Sequence, residues 1–323
     1  MTMRYTRLGN SGLEISRIAL GCMSFGDTSR SHMDWMLDDE QSDEIFRFAV
    51  ESGITLWDTA NSYANGSSEE IVGRAVRRYS RREDVVLATK VYFPMEAGPG
   101  GSGLSRRAIH QQVDRSLTRL QTDYVDLYQI HRFDERVPVE ETMQALDDLV
   151  TAGKVRYLGA SSMWAWQFAK MQHAADLRGG TRFISMQNHY NLLQREDERE
   201  MFGLLADQRV GSLVWSPLAK GLLARTWGTP ATRMNTDPGR AWYLESDRAI
   251  VEAVQAVADR RSIPMAQVAL AWVLRNPSVT AAIVGPTRRR HLEDAIASLD
   301  VDLEDEDLRI LEMHYTPRDP TGF

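Results

Sequence analysis

Three polar side chains stand just past the ends of short apolar runs. Asp58 follows Thr55-Leu56-Trp57, Lys90 follows the run 85–89, and His131 follows the run 124–130; Tyr63 lies five residues beyond Asp58. A carboxylate, an ammonium, an imidazole and a phenol brought to one place form a proton-transfer set. A free phenol titrates near about 10, so a tyrosine serving as acid and base near neutrality works best beside a cation that stabilises its anion. Lys90 supplies that cation in this reading. Asp58 keeps the lysine charged and fixes its direction, and His131 is left to donate to, or orient, a carbonyl oxygen. Singly, each residue has an ordinary structural reading: a helix cap, a surface lysine, a hydrogen-bonded histidine, a packed loop tyrosine. Their repetition at successive run ends favours the chemical one, which still lacks a source of electrons.

Positioning such a set requires elements that bring run ends together. Brief apolar runs recur at 18–20, 55–57, 85–89, 124–130, 155–159, 183–187, 212–215 and 281–284, separated by loops and by stretches of helical periodicity. Ile109, Val113, Leu117 and Leu120 share one helical face, as do Met143, Leu146, Leu149 and Val150. Helical patterns at 250–261 and 264–275 precede the last run, with Pro264 suited to opening the second. Eight strand and helix units without a linker predict one (β/α)8 barrel domain over 1–323, with a hairpin over 1–17 and an acidic helix plus tail over 302–323. The long segments 22–39, 91–104 and 216–245 follow strands and are therefore expected on the face where barrels carry their sites.

Composition narrows the partners. With 38 Lys plus Arg against 45 Asp plus Glu, the net charge of -7 disfavours nucleic acid and anionic membrane as main partners. No run is apolar and long enough to span a bilayer, the N-terminus carries no signal core, and the single Cys22 suits a reducing compartment, so the cytoplasm is expected. Gly98 to Gly103 matches the G-x-G-x-x-G spacing, but it does not follow directly on a strand and contains Pro99, which makes a loop the better reading. Asn65-Gly66-Ser67 reads as a turn rather than a glycosylation acceptor. There is no HExxH pair and no metal site is expected.

Five segments in order carry a resemblance: Leu20-Gly21-Cys22-Met23-Ser24-Phe25-Gly26, Asp58-Thr59-Ala60-Asn61-Ser62-Tyr63, Gly159-Ala160-Ser161-Ser162, Gln187-Asn188-His189-Tyr190-Asn191 and Trp215-Ser216-Pro217-Leu218. Together they resemble the aldo-keto reductase superfamily over residues 4 to about 300, most closely its bacterial and fungal aryl-alcohol dehydrogenase-like branch. The resemblance implies a barrel that binds NADP(H) and a tetrad of Asp58, Tyr63, Lys90 and His131 that reduces an aldehyde or ketone. It also implies that Ser161, Ser162 and Gln187 hold the carboxamide, that Trp215 stacks on the nicotinamide, and that Gly21 and Met23 line its pocket. Ser216, Leu218, Lys220 and Gly221 would follow the pyrophosphate, and Gly285, His291 and Asp294 would be further cofactor contacts. Thr287 and Arg288, in a basic turn opening a helix, are the expected 2'-phosphate contacts. The family often has Asn where Ser162 and Ala295 stand here, and Gln or Arg where His291 stands.

The tryptophans Trp35, Trp164, Trp166, Trp227 and Trp242, with Tyr92 and Phe93, fall in segments expected near the barrel mouth and suit an apolar or aromatic carbonyl compound. Two other functions fit parts of the pattern. One is a cofactor-binding regulatory subunit with little turnover. The other is an aldolase using Lys90 as a Schiff-base nucleophile, against which Asp58 argues.

Overall fold

A computed structural model describes residues 2–230 and 236–321. The chain opens with an antiparallel hairpin, β1 (Tyr5–Arg7) on β2 (Glu14–Ser16). Eight parallel strands follow and close on one another: β3 (Ile18–Gly21), β4 (Leu56–Asp58), β5 (Val86–Val91), β6 (Val125–Ile130), β7 (Val155–Ser161), β8 (Phe183–His189), β9 (Gly211–Trp215) and β10 (Val279–Val284), with β10 returning to β3. Every expected run is one of these strands, so the barrel is the fold.

Alternation along the strands splits the core in two. Ala19, Leu56, Ala88, Leu127, Leu213, Ala281 and Ile283 form a small inner cluster with Leu8 and Ile15 of the hairpin. The hairpin is therefore the plug of the barrel's N-terminal end. Its turn requires a glycine: Gly9 has φ +60, and a Cβ there would lie 2.7 Å from the Gly211 nitrogen and 2.8 Å from the Arg209 and Ile184 oxygens. The outward residues, among them Ile18, Leu20, Trp57, Leu87 and Tyr128, pack with the surrounding helices in the larger cluster.

The helices form where periodicity and caps agree. Residues 109–120 belong to α3 (Arg106–Leu120), begun by Ser105 accepting from the Ala108 amide at 3.3 Å; α1 (Asp39–Glu51) and α2 (Ser67–Tyr79) precede it. Next come α4 (Val139–Thr151), α5 (Ala165–Arg178), α6 (Met201–Gln208), α7 (Arg248–Arg261), α8 (Met265–Arg275), α9 (Arg289–Ala297) and α10 (Asp305–Glu312). Two boundaries differ from expectation. α7 begins at Arg248, not 250, and Pro264 has extended backbone and stands just outside α8 rather than inside it.

The segments 22–39, 91–104 and 216–245 lie at the C-terminal ends of β3, β5 and β9, as expected; residues 231–235 of the last fall outside the described residues. Gly98 to Gly103 is a turn within the long β5 to α3 connection, well past the strand's end and short of the helix: Gly98, Gly100 and Gly103 all have positive φ, and Asp134 holds the segment by accepting from the Leu104 amide at 3.0 Å. Beyond α10 the tail returns to the barrel, where Tyr315 donates to Glu196 at 2.6 Å and Arg318 pairs with Asp247. Among the described residues no helix is long and apolar enough to cross a membrane.

Candidate active site

Asp58 is the last residue of β4, Lys90 the fifth of β5, and His131 the residue after β6. Barrel closure therefore puts them side by side. Lys90 is wholly buried, and its Nζ donates to Asp58 Oδ2 at 2.6 Å, to the Thr59 carbonyl at 3.0 Å and to Tyr63 Oη at 3.1 Å. The Tyr63 and His131 rings meet edge to face with centroids 5.8 Å apart. Asp58 uses its second oxygen to accept from Gln129 Nε2 at 2.9 Å and Gln187 Nε2 at 3.0 Å. The carboxylate is thus held on both sides.

Tyr63 owes its position to an uncommon turn. Ala64 (φ 44), Asn65 (φ 48) and Gly66 (φ 88) are successive left-handed residues, which reverse the chain between Tyr63 and α2. Arg119 lies against Gly66 so closely that a Cβ there would sit 2.7 Å from its Cδ. Arg119 is fixed in turn by the buried Glu69 at 2.6 Å, whose other oxygen accepts from Thr89, the neighbour of Lys90, at 2.6 Å. One carboxylate thereby ties the turn after Tyr63 to the strand that bears Lys90.

The electrostatics oppose burial with charge. Burial pushes the Tyr63 phenol up, and the Lys90 ammonium pulls it down without cancelling the rise. Lys90 thus acts on the phenol in the expected direction, burial outweighs it, and Tyr63 is a protonated donor at neutrality. Burial by itself would lower Lys90, but Asp58 and Tyr63 outweigh it and leave the ammonium more firmly charged than usual. His131 is held well below the ordinary histidine range by burial, and then by Lys90 and Arg132. It is a neutral imidazole, and its Nδ1 is buried with no partner.

The residues expected around a nicotinamide are also linked. Ser162, with φ 48, donates its amide to the Gln187 carbonyl at 3.1 Å, and the Ser161 and Ser162 hydroxyls are 3.1 Å apart. Trp215 Nε1 donates to Ser162 Oγ at 3.2 Å. The half-buried Trp215 ring has one face stacked on His189, with centroids 4.0 Å apart. Gly21 sits where β3 meets β10, since a Cβ would come within 2.9 Å of Ile283. Met23 packs on Met33, Trp35, Met36 and Ala64.

After β9 the chain turns through left-handed Ser216, Ala219, Lys220 and Gly221, while Leu218 packs on the large core. Lys220 is ion-paired with Asp237, so its charge is engaged within its own loop. After β10, Gly285 is exposed and Thr287 donates its amide to His291 Nδ1 at 3.2 Å. Arg288 caps α9. Of the three arginines here, Arg289 pairs with Glu293 and Arg290 with Asp294, whereas Arg288 has no carboxylate partner among the described residues. Asp294 also accepts from Gln267 at 2.9 Å, which docks α9 on α8.

Several groups at the site escaped sequence reasoning. Gln129 stands two residues before His131, so strand alternation was a usable signal for its inward direction. Arg225 had no such signal: its Nε donates to the Gly221 carbonyl at 2.9 Å, it faces no carboxylate among the described residues, and its charge acts on His291. Of the tryptophans expected at the mouth, Trp242 is there, 5.9 Å from Trp215 and 5.6 Å from His189. Trp35 is buried in the small methionine cluster, Trp227 packs on the large core, and Trp164 and Trp166 are exposed. Cys22 is fully buried, and burial raises its thiol well above the usual range, which makes it packing rather than a nucleophile.

A barrel with a buried lysine, carboxylate and tyrosine at adjoining strand ends defines a class, and sequence similarity identifies it. The pattern of the aldo/keto reductase family matches residues 17–316. A versiconal hemiacetal acetate reductase from Aspergillus parasiticus is 45% identical over 98% of this chain and 98% of its own length. An aldo-keto reductase from Fusarium vanettenii is 42% identical over 98% of this chain and 92% of its own. An aryl-alcohol dehydrogenase-like protein from Saccharomyces cerevisiae is 40% identical over 98% of both chains. The chain belongs to the aldo/keto reductase family, whose members are oxidoreductases of small carbonyl compounds.

Proposed function

We propose that this protein is an NADPH-dependent reductase that converts an aldehyde or ketone, aromatic in preference, to the alcohol. The observation that carries the reading is the buried ammonium of Lys90 shared between Asp58 at 2.6 Å and Tyr63 at 3.1 Å.

The residues present fit the cofactor. Arg225 and Arg288 offer guanidinium groups without a carboxylate partner among the described residues, Ser161, Ser162 and Gln187 form one polar edge, and the half-buried Trp215 offers an aromatic surface beside them. Ser161, Ser162 and Gln187 would hold the carboxamide, Gly21 and Met23 would flank the ring, and the 216–221 turn would run along the pyrophosphate. Arg288, with Thr287 and Arg225, would take the 2'-phosphate, and Gly285, His291 and Asp294 would border the adenosine. When bound, NADPH supplies a hydride to the carbonyl carbon. Tyr63 then gives its proton to the carbonyl oxygen, and Lys90 stabilises the phenolate left behind. His131, neutral, orients that oxygen by a hydrogen bond. Asp58, gripped by Gln129 and Gln187, keeps the ammonium in place.

A Schiff-base role for Lys90 is disfavoured because its nitrogen is already engaged by three acceptors and is strongly protonated. The buried free thiol of Cys22 is compatible with a reducing compartment such as the cytoplasm. The test is loss of 340 nm absorbance with NADPH and then NADH against a panel of aromatic and aliphatic aldehydes. Turnover faster with NADPH is the expected result. Tight NADPH binding without turnover on the whole panel would replace this reading with a regulatory subunit, and borohydride trapping of substrate on Lys90 would replace it with the aldolase.

A further inference from the structure

Arg132 lies directly after His131 at the open end of the barrel, half-buried. Its Nη1 donates to the His131 carbonyl at 2.5 Å, and its guanidinium carbon lies 5.2 Å from the centre of the Phe93 ring, which itself meets His131 edge to face at 4.8 Å. No carboxylate pairs with it among the described residues. Other largely buried arginines of this chain do have one: Arg82 faces Asp126 at 2.7 Å, Arg119 faces Glu69 at 2.6 Å and Arg195 faces Glu198 at 3.0 Å. Arg17, which also has no carboxylate among the described residues, gives its Nη2 to the Leu274 carbonyl at 2.7 Å beside the hairpin, at the other end of the barrel.

Among the described residues this half-buried guanidinium gives one hydrogen bond, to the His131 carbonyl, which leaves further donors for an incoming acceptor. Burial lowers Arg132 to about 10, and its charge is felt at Tyr63 and at His131. It therefore sits within electrostatic range of the two groups that would flank a reacting carbonyl. Most candidate cofactor contacts lie on β7 to β10 and after them, with Gly21 and Met23 at the end of β3, whereas Arg132 follows β6, next to His131 of the tetrad. A planar fork of donors above an aromatic ring suits the two oxygens of a carboxylate.

We propose that the pocket selects carbonyl compounds that also carry a carboxylate, which Arg132 binds while Tyr63 and His131 hold the carbonyl. This refines the reductase reading and rests on it. The aromatic wall of Phe93 and Tyr92, with ring centroids 5.3 Å apart, would cover the ring between the two groups of such a substrate.

The test is a ratio. 4-Carboxybenzaldehyde and methyl 4-formylbenzoate present the same aldehyde with and without the negative charge. The wild-type kcat/KM should favour the acid over the ester by about tenfold or more, as a charge-assisted hydrogen-bond pair would give. The difference should lie mainly in KM, Arg132→Met should bring the ratio to about one, and Arg132→Lys should restore part of it. Any general effect of the mutation on His131 or Tyr63 acts on both aldehydes and cancels. A wild-type ratio near one, or an unchanged ratio in Arg132→Met, would overturn the proposal. Calorimetric titration of terephthalate reads the same site without turnover: weakening of about tenfold in Arg132→Met supports it, and equal binding in both proteins overturns it. If neither aldehyde is reduced but terephthalate binding depends on Arg132, the reductase reading fails and the anion site stands.

Discussion

The two ends of the site differ in how their charges are balanced. Around the ends of β4 to β6, Lys90, Asp58, Gln129 and Tyr63, with Gln187 of β8, satisfy one another inside the chain. Around the start of α9, Arg288 and Arg225 have no carboxylate among the described residues, although Arg289 and Arg290 beside them are paired. Groups paired internally tune and hold each other, at the cost of being unavailable for binding. Groups left without a counterion are stable there only because water or an incoming anion completes them. In the proposed function the first region carries the chemistry and the second captures phosphate. Arg132 belongs with the second kind although it stands in the first region.

The sharpest way to break that contrast is to remove a charge from the paired region. Lys90→Met leaves the buried Asp58 carboxylate without its cation and should cost about 3 kcal/mol or more of stability, with kcat lowered on the order of 10² to 10⁴. A thermal melt and single-turnover NADPH oxidation measure both, and a rate within tenfold of wild type would remove the tuning role. In the open region the effect should be smaller and of a different kind. Arg288→Ala should weaken NADPH by about tenfold relative to NADH, read by fluorescence titration; equal weakening of both cofactors would refute the 2'-phosphate role.

The pH profile of kcat should show almost nothing near neutrality. Tyr63 is raised, so its proton is present at neutral pH and is lost only above the usual tyrosine range; His131 is depressed, so it remains neutral through its usual range and charges only in stronger acid. Reduction should therefore be flat between the two, declining in alkali above about 10. An inflection near about 6.5 would mean that His131 titrates as an ordinary exposed imidazole. The smallest effect is that of salt: raising ionic strength should weaken NADPH binding by a few-fold and leave the single-turnover rate of bound enzyme unchanged, because only the exposed guanidinium is screened.

Much of this arrangement was legible in the sequence, for identifiable reasons. Strands such as Val86–Val91 and Val125–Ile130 are rich in apolar residues because both faces are buried, so the barrel and the clustering of Asp58, Lys90 and His131 follow from where the apolar stretches give way to polar residues. Tyr63 was visible only through its motif, since the left-handed turn at Ala64 to Gly66 that places it leaves no periodic trace. Pairings between positions far apart in sequence were not legible at all: Gln129 with Asp58, Glu69 with Arg119 and Lys220 with Asp237 join residues 71, 50 and 17 positions apart. That Arg132 and Arg225 meet no carboxylate among the described residues is likewise a fact of space, because nothing in the local sequence says which carboxylates a guanidinium will reach.

Tyr63→Phe tests the account most directly, because it removes one oxygen from the paired region and keeps the ring. Single-turnover oxidation of NADPH by an aromatic aldehyde, with the cofactor's affinity measured on the same protein, should show a loss on the order of 10² to 10⁴ in rate with NADPH still bound. Reduction at a rate close to wild type would contradict the assignment of Tyr63 as the acid, and with it the purpose ascribed to the lysine and carboxylate behind it.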